Sequence, residues 1–246
     1  MLKGKCNMLH IKNLSLQLNS RNILSDITTQ ISSDKIYAIL GPSGSGKTSL
    51  LRCISQLEQG YSGSLSLDQK PINELSKGQI GMVFQQFALF ENMTVEQNIC
   101  LAPQLTQQAS TNQIQKKYNE YIQQFNLQNL THYFPCHLSG GQKQRVAIVR
   151  MLMMNPHIIL FDEPTSALDI ENVKDVINLI SELKDPDKII IVVTHDVHFA
   201  KAMASDIIFL HEGEINQTAS KEDFFSLNHR KELSAKAQQF LLNCSV

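Results

Sequence analysis

The sequence predicts an α/β fold whose sheet is mostly parallel. Three apolar runs, KIYAIL, HIILFD and KIIIVVTH, continue without alternation and end in polar or glycine residues, which is typical of strands buried on both faces. Helical patterns follow the second and third runs, at residues 173–183 and 197–204. Strands that alternate with helices in this way favour a parallel sheet covered by helices.

The N-terminal segment predicts a different, antiparallel β region. Leu9, Ile11, Leu14, Leu16 and Leu18 alternate as in a half-buried strand. The stretch NSRN then predicts a turn into a second strand that passes through two isoleucines further on. These two strands are expected to form an N-terminal antiparallel β region.

A helical insertion is predicted in the middle of the chain. Residues 104–130 are rich in Gln and Asn, but Ile114, Tyr118, Ile122 and Phe125 recur at helical spacing, which favours an amphipathic helix over disorder. This helix lies between IGMVFQ and LSGGQ. We therefore expect a helical subdomain at about 87–150, inserted in the core of a single domain that covers 1–246. The stretches KEDFFSL and RKELSAKAQQFLL are expected to form closing helices.

Composition limits the classes of partner. The 246 residues are 42% hydrophobic and 18% charged, with a net charge of −1, which gives no electrostatic case for binding nucleic acid or a membrane surface. Five scattered cysteines without a CxxC pair indicate a reduced, cytosolic protein. The N-terminus does not resemble a signal peptide, and no apolar stretch approaches the ~18 residues of a transmembrane helix. Any membrane role is expected to come through a partner.

The stretch GPSGSGKT predicts a phosphate-binding loop. It matches G-x-x-x-x-G-K-[ST] between a predicted strand and a predicted helix, whereas the alternative is a Gly/Ser turn that only joins the two. A lysine at a helix N-terminus is unfavourable unless an anion lies beside it, and the β- and γ-phosphates of ATP supply that charge. The Thr48 hydroxyl is suited to ligate Mg²⁺. The predicted ATP-binding residues are Gly41, Pro42, Ser43, Gly44, Ser45, Gly46, Lys47 and Thr48.

Two adjacent carboxylates end the run HIILFD. Asp162 and Glu163 follow a buried strand, where a charge is costly unless a metal or proton partner compensates it. Beside a phosphate-binding loop, Asp162 is expected on Mg²⁺ and Glu163 is placed to polarise an attacking water. The alternative is a solvated strand end before a proline turn.

The stretch LSGGQKQR predicts an anion-binding helix start. Ser139 and Gln142 match a capping box, so the stretch is also explained as an ordinary helix N-terminus. Gly140 and Gly141 in the first turn each cost ~1 kcal/mol relative to alanine, which favours close approach of the backbone to an anion. Gln85 and His195 come at the ends of two further predicted strands, the edge where ligands of parallel sheets bind.

With these motifs in this order, the chain resembles the ATP-binding subunit of an ATP-binding-cassette (ABC) transporter from about residue 9 to residue 227. The resemblance implies a P-loop NTPase core, GPSGSGKT as the Walker A loop, LFDEP as the Walker B strand, and LSGGQ as the signature. It implies three catalytic residues: Glu163 as the base, Gln85 as the Q-loop glutamine, and His195, which contacts the γ-phosphate. The implied magnesium ligands are Thr48, Gln85 and Asp162.

The resemblance also implies partners. In this family two subunits face head to tail, and the signature of one (here Ser139, Gly140, Gly141 and Gln142) contacts the ATP on the other. This chain is therefore expected to pair with a copy or a homologue, on the cytoplasmic face of the inner membrane, with transmembrane permease subunits. The implied D-loop consists of Ser166, Ala167, Leu168 and Asp169.

Finer stretches are similar to importers of polar amino acids, which also use an extracytoplasmic solute-binding protein. These stretches are LRCISQLE, VFQQFALFENMTVEQNICLAP and LFDEPTSALD. The alternative is the ATPase of a lipoprotein-release or efflux system. A regulatory adaptor with weak turnover is a third hypothesis, and the presence of both Glu163 and His195 argues against it. A small-molecule kinase with a P-loop would lack LSGGQ.

Three positions depart from the family pattern. Lys143 stands where glutamine is usual, and Thr48-Ser49 replaces Ser-Thr while keeping the hydroxyl that ligates the metal. In a gap-free alignment, Leu18 takes the place of the aromatic residue that stacks on adenine. We expect weaker ATP binding and less discrimination against GTP, unless a neighbouring residue or a shifted turn at 19–22 supplies the contact.

Overall fold

A computed structural model describes residues 7–106, 109–166, 170–226, 229 and 232–244. These residues form two sheets, eight α-helices and three short 3₁₀ turns. The strands are β1 (Met8–Leu18), β2 (Arg21–Ser32), β3 (Ile36–Leu40), β4 (Tyr61–Leu67), β5 (Lys70–Pro71), β6 (Ile80–Val83), β7 (Ile158–Asp162), β8 (Ile189–Thr194), β9 (Asp206–His211) and β10 (Glu214–Ser220). The helices are α1 (Lys47–Ile54), α2 (Val95–Thr106), α3 (Thr111–Gln124), α4 (Gly140–Leu152), α5 (Ile170–Glu182), α6 (Val197–Met203), α7 (Lys221–Phe225) and α8 (Ala235–Asn243).

The larger sheet is mostly parallel, as the apolar runs predicted. Its strand order is β10-β9-β3-β8-β7-β6, and only β10 runs antiparallel to its neighbour. Every residue of β3, β7 and β8 is buried, because an apolar cluster packs on each face of the sheet. In register, Leu40 pairs with Thr194 and Asp162 pairs with Val193. The carboxyl ends of these three strands therefore lie side by side.

The smaller sheet is the predicted antiparallel N-terminal region. Its order is β2-β1-β4-β5, and the turn between β1 and β2 lies at Asn19 and Ser20, within the predicted NSRN turn. Leu9, Ile11 and Leu14 of β1 are fully buried. They belong to the same apolar cluster as residues of β3 and α1, so this sheet covers one face of the parallel sheet.

The predicted amphipathic helix is confirmed as α3. Ser110 caps it through a reciprocal pair of hydrogen bonds with Gln113, the capping-box geometry. Ile114, Tyr118 and Ile122 are buried on its inner face. They join an apolar cluster with α2, α4 and the other face of the parallel sheet. No helix within the described residues has the length and apolarity that crossing a bilayer requires.

Two helices close the described chain. Of the stretch KEDFFSL, Lys221–Phe225 forms α7, and residue 227 lies outside the described residues. The helix predicted at RKELSAKAQQFLL begins later, at Ala235, because the Ser234 side chain accepts a hydrogen bond from the Ala237 amide as its N-cap. Residues 230 and 231 of that stretch lie outside the described residues. Phe209 of β9 contacts Phe224 and Phe240, with ring centroids 6.3 and 5.3 Å away, so both helices pack on the sheet through aromatic rings.

Candidate functional site

One open cavity of about 420 Å³ lies at the carboxyl ends of β3, β7 and β8. Ligands of parallel α/β sheets bind at this edge. Residues from five separate stretches of the chain meet there. The cavity is lined by Ile23, Ser43, Gly44, Gly46, Lys47, Thr48, Ser49, Gln85, Glu163 and His195.

The loop GPSGSGKT joins β3 to α1, and its last glycine is the N-cap of the helix. Gly46 has φ 101°, in the left-handed region that favours glycine, and a Cβ there would lie 2.8 Å from the Ile23 carbonyl oxygen. No side chain of the described residues caps α1. Its first N–H groups are therefore suited to an anion. The Ser45 hydroxyl is buried nearby and has no hydrogen-bond partner among the described residues.

Lys47 is buried, and its ammonium group folds back over the loop. Nζ donates to the carbonyl oxygens of Gly41 and Pro42 at 2.9 and 2.8 Å. Burial lowers the pKa of Lys47, while the nearby charges of Glu163 and Asp162 act in the opposite direction. The Lys47 ammonium and the uncapped N-terminus of α1 favour a negative ligand, whereas the two nearby carboxylates oppose one unless a cation accompanies it.

Thr48 and Asp162 form an oxygen pair at the base of the site. Thr48 Oγ1 donates to Asp162 Oδ1 at 2.9 Å, and the side chain of Asp162 is buried at the end of β7. Burial raises the pKa of Asp162, and the adjacent Glu163 adds to this effect. The hydrogen bond from Thr48 and the charges of Lys47 and Arg52 oppose it. Two hard oxygen donors side by side suit a small divalent cation.

Glu163 and His195 face each other across the cavity. His195 Nδ1 lies 2.9 Å from both carboxylate oxygens of Glu163. The Glu163 backbone has φ 48°, a conformation that costs a non-glycine residue ~1–3 kcal/mol and is concentrated at functional sites. Its N–H donates to Val193 O at 2.9 Å, which fixes the turn to β8. The carboxylate can accept a proton from a molecule bound in the cavity.

Gln85 lines the cavity, but it does not end a strand as the run IGMVFQ suggested. The ladder between β6 and β7 ends at the pair Val83–Phe161, so Gln85 lies in the turn that follows. Arg150 of α4 holds the next part of this segment. It donates to the carbonyl oxygens of Ala88 and Phe87 at 2.7 and 3.0 Å.

The stretch LSGGQ begins α4 and does not line this cavity. Ser139 is the N-cap of α4 and forms the expected capping box with Gln142. Gly140 and Gly141 lie in the first turn of the helix. The proposed D-loop begins at Ser166, which donates through Oγ to Glu163 O at 3.0 Å. Ala167, Leu168 and Asp169 lie outside the described residues.

Sequence reasoning missed several residues at or beside the site, among them Ser49, Ile23, Arg150 and Gln144. Ile23 of β2 lines the cavity, whereas Leu18, at the end of β1, is 36% exposed and is not among the lining residues. The signal for Ile23 is its place directly after the predicted turn at 19–22, which is the alternative source of the contact with the base. Gln144 was also missed, because a polar residue in a helical pattern ordinarily indicates an exposed face.

Comparison with known proteins gives a family for this arrangement. The ABC transporter family matches residues 24–166. The arginine transport ATP-binding protein ArtM of Bacillus subtilis is 39% identical over 240 residues, covering 95% of this chain and 98% of the relative. The glutamine transport ATP-binding protein GlnQ of Escherichia coli is 36% identical over 244 residues, covering 97% and 100%. A dimeric post-hydrolysis structure of the ATP-binding cassette MJ0796 with ADP and Pi has 31% identity and a TM-score of 0.75, covering 87% of this chain and 98% of that one.

Proposed function

The chain belongs to the ABC transporter family, and we propose that it is the ATP-hydrolysing subunit of an importer of polar amino acids. The observation that carries the ATPase function is the single cavity that joins the glycine-rich loop, Lys47, the pair Thr48–Asp162 and the pair Glu163–His195. The choice of amino acids as cargo is supported by relatives named for arginine and glutamine transport, which align over nearly the whole chain.

Residues 41–48 hold the triphosphate of ATP in this proposal. The free N–H groups at the start of α1 and of the loop bind phosphate oxygens, and the glycines let the backbone approach them. Lys47 exchanges its carbonyl contacts with Gly41 and Pro42 for the β- and γ-phosphates. Such charge-assisted hydrogen bonds are about twice as strong as neutral ones, so the exchange favours the bound state.

Mg²⁺ fits the site through Thr48 and Asp162, with Gln85 on the cavity wall. Mg²⁺ ordinarily takes one or two carboxylates and completes its shell with water and substrate phosphates, which matches the oxygen pair seen here. When bound, it neutralises charge on the β- and γ-phosphates. Asp162 then gains a counter-charge in addition to those of Lys47 and Arg52, which only partly offset its burial.

Hydrolysis is assigned to Glu163 and His195. A water oxygen attacks the γ-phosphorus while the Glu163 carboxylate accepts its proton, and the bond from that phosphorus to the bridging oxygen of ADP breaks. An ionised carboxylate has room to accept a hydrogen bond from His195 and from the water together. His195 also lies on the wall of the same cavity, where it can donate to the γ-phosphate.

A second copy of the chain, or a paralogue, completes each site. Ser139, Gly140, Gly141 and Gln142 do not line the cavity of their own chain, so they are free to contact ATP held by a partner. The related cassette MJ0796 has been described as a dimer. The proposed unit is one domain over 1–246 with a helical subdomain at about 87–150, and residues 166–169 act as its D-loop at the dimer interface.

The importer function is tested by reconstitution. The chain, its permease and its solute-binding protein are placed in liposomes with ATP on the side of the ATPase, and uptake of labelled arginine, glutamine and glutamate is measured. ATP-dependent uptake of one of them is expected, with none for the Glu163→Gln variant. In the cell, the subunit would lie peripherally at the cytoplasmic face of the inner membrane. Normal amino-acid uptake in a deletion strain that retains lipoproteins in that membrane would favour the lipoprotein-release alternative.

A further inference from the structure

Gln144 is a buried polar residue in an apolar part of α4. It is 1% exposed, and the four residues from Val146 to Val149 that follow it along the helix are also buried. Its Nε2 donates to the carbonyl oxygen of Pro164 at 2.9 Å. Its Oε1 is buried and accepts no hydrogen bond from the described residues. The contact with Pro164 is therefore the one that orients this amide.

Stability alone does not explain a glutamine here. Burying an amide with an unsatisfied oxygen is unfavourable, and an apolar side chain of the same length would fill the space without that cost. The ordinary explanation is that Gln144 only ties α4 to a loop 20 residues away in the chain. The position of its partner points to more, because Pro164 directly follows Glu163.

The hydrogen bond of Gln144 adds to others that hold the backbone around Glu163 in place. The Glu163 N–H donates to Val193 O on β8, and its carbonyl oxygen accepts from the Ser166 hydroxyl. Gln144 fixes the next carbonyl along, at Pro164. A residue at φ 48° keeps that conformation only where its surroundings over-determine it. Removing the Pro164 anchor frees the C-terminal side of the turn that presents the carboxylate.

We propose that Gln144 is a positioning residue for ATP hydrolysis, which holds the Glu163 carboxylate in its reactive position through the Pro164 carbonyl. The inference rests on the proposed role of Glu163 as the base. Gln144 does not line the cavity, so it acts on the reaction only through the turn. A misplacement of a reacting group by ~1 Å costs up to about 100-fold in rate, so the loss of this anchor is expected in kcat.

The first test is Gln144→Met, which keeps the length of the side chain and removes the donor. We expect kcat for ATP to fall by about 10- to 100-fold, while the affinity for Mg-ATP and the circular dichroism spectrum stay close to wild type. Asp175→Asn is the matched control, because it weakens another contact of α4, the ion pair with Arg145, at an exposed position. It should leave kcat unchanged.

Combining the change with Glu163→Gln separates positioning from general damage. If Gln144 acts through Glu163, single-turnover rates of Glu163→Gln and of the double variant should agree, because the group being positioned is already gone. The inference is wrong if Gln144→Met slows the Glu163→Gln variant by the same factor as it slows wild type. It is also wrong if Gln144→Met alone leaves kcat unchanged. Near wild-type turnover of Glu163→Gln alone would instead overturn the proposed role of the base.

A second variant decides the question if Gln144→Met does not fold. Gln144→Glu keeps the shape, but the introduced carboxyl can donate to Pro164 O only while it is protonated. The ratio of its kcat to that of wild type should therefore be highest at the acid end of the range in which both are folded, and should fall as pH rises. A ratio that does not change with pH contradicts the inference.

Discussion

Asp162→Asn is expected to stabilise the nucleotide-free protein while removing magnesium-dependent hydrolysis. Burial is the largest cause of the raised pKa of Asp162, so the folded protein binds this proton more tightly than the unfolded chain does. Stability therefore falls as pH rises from the unfolded pKa through the folded one. Around pH 7 the full cost of the buried charge is present, and the neutral amide of asparagine removes it.

The expected size follows from the contacts of the side chain. Asparagine has the same shape, and its Oδ1 can still accept the hydrogen bond from Thr48. Removing a poorly compensated charge at a functional site is expected to add up to ~1 kcal/mol, which raises the unfolding midpoint by roughly 2–4 °C for a chain of this length. Bound Mg-ATP at 100 times its Kd adds ~2.7 kcal/mol to the wild type, and the variant should lose most of that increment.

The assay is thermal unfolding, first in EDTA without nucleotide and then with Mg-ATP. The difference between the variant and wild type in EDTA should shrink as pH falls, since protonated aspartate is also neutral. Asp196→Asn is the control: this side chain caps α6 by accepting from the Phe199 amide at 3.0 Å, and its replacement should leave the midpoint unchanged or slightly lower. An Asp162→Asn midpoint several degrees below wild type in EDTA would show that the charge is compensated and that the reasoning is wrong.

Three further changes probe the proposed roles of single residues. Lys47→Ala should weaken ATP binding by at least about 10-fold, because hydrogen bonds to a charged group are lost, and an unchanged affinity by calorimetry would exclude the phosphate-binding role. Glu163→Gln should still bind ATP, but its turnover should fall by at least about 100-fold, since an amide cannot accept the proton of water. Turnover near wild type would mean that another group is the base. Leu18→Tyr should strengthen the binding of both ATP and GTP by up to ~1 kcal/mol if its ring reaches the base. Affinities equal to those of wild type, in a variant that folds, would show that position 18 does not contact the base.

The parallel sheet and the phosphate-binding loop were predictable because their signals are local. KIYAIL, HIILFD and KIIIVVTH are too continuously apolar for a half-buried strand, and each forms a strand of the parallel sheet. The helix after the loop begins at Lys47, as the motif predicts, because the glycines before it adopt conformations that a helix does not. The strand order was not predictable, since continuous apolar runs give no alternation from which to derive a pairing.

The residues that sequence reasoning missed act over long distances. Gln144 contacts a carbonyl 20 positions away in the chain, and Arg150 contacts one 63 positions away. Neither contact produces a periodic pattern in the sequence from which it could be predicted. Leu18 was placed by alignment alone, which fixes a position along a strand but not which side chain of a hairpin faces a cavity. In the structure it is Ile23, on the second strand of that hairpin, that lines the site.

Helix α4 lies between two functional parts of the same subunit, the residues of LSGGQ at its start and the turn that carries Glu163. Its first turn carries Ser139 to Gln142, which are proposed to contact the ATP of the partner, and Gln144 follows within the next turn with its amide on Pro164. The Glu163 turn that this amide anchors serves the ATP bound to the subunit itself. In the proposed dimer, α4 would therefore link the ATP held by the partner to the carboxylate that serves the subunit's own ATP. The Gln144→Met variant, measured in the assembled dimer, removes this hydrogen bond and leaves the residues proposed to contact either nucleotide unchanged.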